Sequence, residues 1–389
     1  MDSYEPFEAY DFMMDDNVRD AAVQPPETIL PPPADLRSEF TWIDFSTASN
    51  PLGTPREFTD AIVAAMERGE HAYLPDRDSH ALRTTFSRYF NLPVESFLCG
   101  TSVDEMIRAV AQTYQPCTVG ITTPGPAEYA LAITNAGHMI SEITSPSSFI
   151  VPDPIIARNN GIEFDAAILA NPCYPTSRLL AKPTLIKYLQ NCKWVILDES
   201  GIELTLGGES MIGLTRQYRN LIVIRSLCNT FAIPGIPISY CVAHPDTIAQ
   251  IEQFFDNTNV SMFGEALADH ILNQGAYIER ARDLLEVEIP WMQCMLNLIP
   301  GVKIFPAEAN YVLCSFNNEA GLDLGVRDVN DLMHRLQLSG FMVRTLQNTP
   351  GLPDNRCFCV SVRTHDENEQ LITGMRKVIF GYEEEDDLL

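Results

Sequence analysis

The sequence predicts an α/β protein: a large domain on a mostly parallel sheet, followed by a smaller α+β C-terminal domain. Three observations carry this. Short apolar runs alternate with segments of helical periodicity through the middle of the chain. Each of the clearest runs stops at a polar or turn-forming group. Past residue 300, strand-like runs alternate with two helical segments in a shorter stretch. The 389 residues suit a large domain plus a smaller one, and 46% hydrophobic residues are ample for a sizeable core.

Taken in order, residues 1–37 form an acidic, proline-rich tail. Asp2, Glu5, Glu8, Asp11, Asp15, Asp16 and Asp20 interleave with Tyr4, Phe7, Tyr10, Phe12, Met13 and Met14. The prolines at 25–26 and 31–33 stiffen the chain and deny helix, so an extended arm is expected. The arm is either loosely packed or a docking segment that orders on a protein partner. The large domain is expected over 38–285, the small domain over 286–380, and a second acidic tail over 381–389. The runs 118–122, 166–170, 194–197 and 221–224 are the clearest strands. They end at Asn171-Pro172, Asp198-Glu199 and Arg225-Ser226, where open α/β sheets place their ligand crevice. Apolar residues at 106, 107, 110, 111 and 114 predict a helix, with Ser102 or Asp104 as its N-cap. A long helix is expected from about 260 to 298. Strands at 303–305, 311–313 and 357–362 then belong to the smaller domain.

Composition excludes several classes. A net charge of -26 repels nucleic acid and anionic lipid, so neither is an expected partner. No apolar run approaches the roughly 18–20 residues of a membrane span, and the acidic start does not resemble a secretory signal. Ten cysteines without paired spacing fit reduced thiols in a cytoplasmic protein. Neither a metal-like His/Cys cluster nor a phosphate-binding glycine loop occurs, so no metal is expected.

The segment Arg225-Ser226-Leu227-Cys228-Asn229-Thr230-Phe231 through Gly235-Ile236-Pro237 resembles the aminotransferase class I/II family, fold type I. So do Asn50-Pro51-Leu52-Gly53, Tyr73-Leu74-Pro75-Asp76, residues 100–105, the run Asn171 to Ser177, Leu197-Asp198-Glu199 and residues 360–364. The similarity spans roughly 40–380 and is strongest to the branch of histidinol-phosphate aminotransferase and threonine-phosphate decarboxylase. It implies a seven-stranded core, a homodimer with sites at the subunit contact, and pyridoxal phosphate (PLP) carried on a lysine as a Schiff base.

That lysine is absent. Asn229 stands in its place, and no lysine occurs between Lys193 and Lys303. An amide neither forms an imine nor acts as a base. By the resemblance Asp198 keeps the acid under the pyridine nitrogen, and Ser226 and Ser102 lie in the phosphate region. Tyr73 matches the residue that reaches the neighbouring subunit's phosphate, and Arg363 the one that grips a substrate carboxylate beside Asn171. Pro237 replaces the phosphate arginine, Pro126 the stacking aromatic, and Tyr174 and Gly201 the groups that touch the ring hydroxyl. Val103 replaces a small or hydroxyl-bearing residue of the phosphate turn.

These losses lead to the expectation that no cofactor is required, with PLP only a weak non-covalent ligand. Cys228 and Asn229 are the only catalytic candidates. The leading expectation is a degenerate aminotransferase-like protein repurposed to bind a partner or a small carboxylate or amino-acid-like metabolite. Two alternatives stand beside it. One is a biosynthetic enzyme with new chemistry in the old pocket, such as amino-acid condensation or acyl transfer. The other is an aminotransferase or decarboxylase that uses PLP without the lysine link.

Overall fold

The computed structural model describes residues 42–144, 149–255, 260–323, 325–347, 349–352 and 356–380. The expected docking arm and acidic C-terminal tail lie outside them. A short strand β1 (Ile43–Asp44) enters the fold and pairs with the small domain. The large domain then lays down β2 (Phe97–Gly100), β3 (Thr118–Thr123), β4 (Met139–Thr144), β5 (Ala166–Ala170), β6 (Val195–Asp198), β7 (Leu221–Ser226) and β8 (Ser239–Val242). Their order in the sheet is β2-β8-β7-β6-β5-β3-β4, and β8 runs against both its neighbours while the others are parallel.

The apolar runs are continuous because helices cover both faces of the sheet. Leu169, Val195, Leu197 and Val223 enter one core. The residues between them, Ile168, Ile196, Ile222 and Ile224, enter the other. Burying each such side chain contributes about 1.5–3 kcal/mol. The expected helix after Ser102 spans Val103–Thr113 and buries Met106, Ile107, Val110 and Ala111.

The small domain contains β9 (Val302–Ile304), β10 (Tyr311–Phe316), β11 (Phe341–Met342), β12 (Arg344–Thr345) and β13 (Cys357–Ser361). The four-stranded sheet β12-β13-β10-β9 is antiparallel throughout. The long helix expected from 260 is broken into Met262–Ala266, Ala268–Ile271 and Gly275–Asn297. The second of the two breaks ends at Gln274, whose φ of -91° and ψ of 12° are not helical, ahead of a glycine. The last piece runs straight through residue 285, placing Leu285, Ile289, Met292 and Leu296 in the small-domain core.

Besides the β1 pairing, backbone bonds join the two domains at a strap. Leu206 N–H donates to the Glu308 carbonyl at 2.7 Å, Glu308 N–H to the Ser177 carbonyl at 3.0 Å, and Asn310 N–H to the Leu204 carbonyl at 3.1 Å. The strap delivers β10, and with it Tyr311, to the carboxyl edge of the large sheet.

Candidate functional site

Strand register builds the site. Ala170 lies opposite Asp198, and Asp198 opposite Ile224, so Asn171, Asp198 and Arg225-Ser226 emerge at one edge. Further along, Gly100, Ser239 and Ser226 form one row across β2, β8 and β7.

Asp198 is buried and doubly bonded. One carboxylate oxygen accepts from Ser200 N–H at 2.8 Å, and the other accepts a close hydrogen bond from the Tyr129 hydroxyl. Burial and then the neighbouring carboxylate push the Tyr129 phenol well above its usual range, so it remains a donor. Tyr129 was missed in the sequence; it sits three residues past Pro126, in a segment read only for its stacking position.

Three buried hydroxyl oxygens at this edge have no partner: Thr123 Oγ1 at the end of β3, Tyr174 Oη after β5, and Ser200 Oγ after β6. These strands are sheet neighbours. Buried hydroxyls are nearly always hydrogen-bonded, so three orphans along one crevice mark a place where a ligand or water completes the bonding. Cys173 joins the same group, with its thiol 3.5 Å from the Pro124 carbonyl. Burial raises that thiol to about 11, so it is no ready nucleophile. From the small domain, Tyr311 brings its ring to 5.4 Å from Tyr174. Gly351, at φ +80°, closes over the top: a Cβ there would lie 2.7 Å from Pro124 N.

The remaining predicted residues divide. Ser102 caps its helix, its hydroxyl oxygen accepting from Glu105 N–H at 3.1 Å. The Glu105 carboxylate folds back to accept from the N–H and the hydroxyl of Thr101, the residue before the cap, both at 3.0 Å. Ser226, half-buried, accepts from Cys228 N–H at 3.3 Å. Asn171 has its carbonyl oxygen engaged by Leu180 N–H at 3.0 Å. Tyr73 is 76% exposed. Cys228 is a half-buried free thiol.

Asn229 occupies the crevice rim beside Ser226 with its backbone pinned. Its carbonyl accepts from Asn50 N–H at 2.8 Å, and the next residue's carbonyl accepts from the Asn50 amide at 2.9 Å. Its side-chain amide is half-buried and makes no hydrogen bond among the described residues. No lysine substitutes for it. Lys187 pairs with Asp153, Lys193 with Asp165, Lys303 lies over Phe305, Lys182 opens a helix and Lys377 belongs to the last one.

Arg363 pairs with Glu367 at 3.0 Å and donates to the Asp44 carbonyl at 3.2 Å, while its Nε is buried without a partner. Arg344 forms no ion pair among the described residues and lies 5.4 Å over the Tyr174 ring, half-buried. No motif marked it in the sequence.

Comparison with known proteins fits this geometry. The profile described as Aminotransferase class I and II matches residues 41–374. The chain belongs to that family. A threonine-phosphate decarboxylase of Salmonella typhimurium is 28% identical over 346 residues, 87% of this chain and 92% of that protein. A histidinol-phosphate aminotransferase of Roseiflexus castenholzii is 27% identical over 350 residues, 86% and 89% of the two chains. Among solved structures, the histidinol-phosphate aminotransferase of Clostridium acetobutylicum superposes with a TM-score of 0.75 at 24% identity, covering 87% of this chain and 98% of that one. The enzyme of Sinorhizobium meliloti, solved in complex with pyridoxal-5'-phosphate, gives 0.74 at 18% identity, covering 91% and 96%.

The expectation that no cofactor belongs here is therefore corrected. It rested on counting lost contacts. The family is one of PLP-bearing aminotransferases, and a neighbour of the same fold holds that cofactor. The residues present fit such a group at its ring end, where a buried carboxylate and three unsatisfied hydroxyls lie along one edge of the sheet. They offer no amine to anchor it.

Proposed function

We propose that this member of the family holds a pyridoxal-type cofactor by non-covalent contacts and is repurposed as a binder of a small anionic, amino-acid-like ligand. Lysine-dependent catalysis is then lost. The observation that carries the reading is Asn229: a free amide, held in place by Asn50, stands where the resemblance puts the reactive amine. When bound, such a cofactor supplies an electron sink. Asp198 and Tyr129 would face its ring nitrogen, Thr123, Tyr174 and Ser200 its polar edge, and Ser226 with the start of the helix Val103–Thr113 its phosphate. Arg344 supports an anionic ligand, since a half-buried guanidinium without an acid partner is matched by a carboxylate or phosphate. The names of the relatives point to phosphorylated amino-acid-like compounds.

We further expect a homodimer. Tyr73 and Leu74, 76% and 93% exposed, form an apolar point that a second copy would cover.

The test is spectroscopic. The chain titrated with PLP should bind it, yet borohydride reduction should leave no stoichiometric adduct by mass spectrometry. Asn229→Lys combined with Pro237→Arg should gain visible absorbance and a trapped adduct at position 229. A wild-type adduct on any lysine, including one donated across a dimer, or wild-type transamination at the rate of the double variant, would sink the proposal.

A further inference from the structure

The amide at position 229 does more than remove a reactive group, because it sets which form of the cofactor the crevice keeps. Three features bear on this. The Asn229 backbone is fixed by Asn50, and Thr230 next to it donates to the Glu203 carboxylate at 3.1 Å. The amide therefore cannot drift from the crevice without breaking a braced loop. Its side chain is partly open and forms no hydrogen bond among the described residues, so its oxygen is available as an acceptor. Among the described residues no arginine or lysine donates a hydrogen bond to that oxygen.

With a lysine, an aldehyde is retained by a bond to the amine. With an amide, that bond cannot form, and the two forms of the cofactor compete on hydrogen bonding alone. A primary ammonium gives the Asn229 oxygen a charge-assisted donor. An aldehyde gives it none and receives only a neutral bond from the amide N–H; charge-assisted bonds are roughly twice as strong. The overall charge of -26 favours a cationic group as well. We propose that the crevice selects the amine form, pyridoxamine 5'-phosphate, over pyridoxal 5'-phosphate, and that Asn229 is the residue that discriminates. This rests on the cofactor reading given above and sharpens it.

The test uses the purified full chain, freed of small molecules by dialysis. Pyridoxamine 5'-phosphate is titrated by its fluorescence, then displaced with pyridoxal 5'-phosphate, which excludes capture of the aldehyde by surface lysines. The amine form should bind about tenfold tighter, equivalent to about 1.4 kcal/mol. Asn229→Leu should bring the two to near parity by weakening the amine form. Asn229→Asp should widen the ratio, because a carboxylate pairs better with an ammonium; this variant also keeps the test standing if Asn229→Leu does not fold. Equal or tighter binding of the aldehyde by the wild type, or a ratio that neither variant moves, overturns the selection while leaving the cofactor reading intact. Failure of both compounds to bind a folded chain at millimolar concentration overturns the cofactor reading itself.

Discussion

Two groups of buried polar atoms stand along the carboxyl edge of the large sheet, one at β6 and β7 and one at the ends of β3, β5 and β6, and they are finished to different degrees. On one side of Asp198, Glu199 is fully buried, yet both its oxygens are engaged. Met211 N–H donates at 2.5 Å, the Ser210 hydroxyl at 2.6 Å and Arg225 at 3.5 Å. Arg225 also pairs closely with Glu203, which in turn holds Thr230 at 3.1 Å. On the other side, Thr123, Tyr174 and Ser200 are buried without partners. A closed network explains itself as structure. An open one, at the edge of the same sheet, leaves bonds for something to complete. The contrast teaches that this chain has kept the frame beneath its site while leaving the site's own surface unsatisfied.

The largest expected effect is on the closed side. Arg225→Ala strands Glu199 and Glu203 without their shared cation, and burial already holds the Glu199 carboxyl above its usual range despite Arg225. Breaking a buried pair in this way should destabilise the fold by about 3–5 kcal/mol, read as a drop in the urea midpoint. A loss below about 1 kcal/mol would mean the network is not the frame described here. Tyr129→Phe comes next. It removes a hydrogen bond to a buried carboxylate, so a loss of about 1.5–3 kcal/mol is expected, together with weaker cofactor binding.

The open side should respond with the opposite sign. Thr123→Val keeps the shape of a strand residue and removes a hydroxyl that has no partner. The unliganded protein should gain about 1 kcal/mol, while affinity for a pyridoxal-type cofactor falls severalfold in the same titration. A variant that loses stability without ligand would show that the hydroxyl is already satisfied, and the distinction between the two sides would fail.

These asymmetries set how much was legible in the sequence. The strands at 118, 166, 195 and 221 were readable because both faces of the sheet are covered, which makes each run continuously apolar. Asp198, Ser226 and Asn229 were readable because each stands just after or at the end of a run. Tyr129 and Arg344 were not. Their roles depend on where a helix start and a small-domain strand come to rest, and no local pattern encodes that. The cofactor expectation failed for a related reason. Substitutions at Pro237, Pro126 and Gly201 can be counted in the sequence, but the unsatisfied hydroxyls of Thr123, Tyr174 and Ser200 appear only once the strands are side by side. Gly201 shows the limit of substitution by alignment: its φ of +83° is a left-handed conformation that a tyrosine would adopt only under strain.

The smallest effect concerns the arginine the sequence singled out. Arg363 is paired with Glu367, whose carboxyl is pushed up by burial but held below its usual range by hydrogen bonds from Arg363 and Thr364. The folded value is the lower one, so the unfolded chain takes up its proton first as pH falls. The stabilisation is therefore complete above the ordinary carboxyl value near 4.3 and disappears as pH drops through the folded value. Both side chains retain some solvent contact, 21% and 26%, which keeps the pair below about 1 kcal/mol. Urea midpoints of the wild type and Glu367→Gln should differ slightly at pH 6 and converge as pH falls through the lowered folded value. The same variant releases the guanidinium, so a carboxylate ligand that uses Arg363 should bind tighter to Glu367→Gln, whereas one that uses Arg344 should not notice the change. That comparison decides which of the two arginines receives the anion: the one legible in the sequence, or the one only the fold reveals.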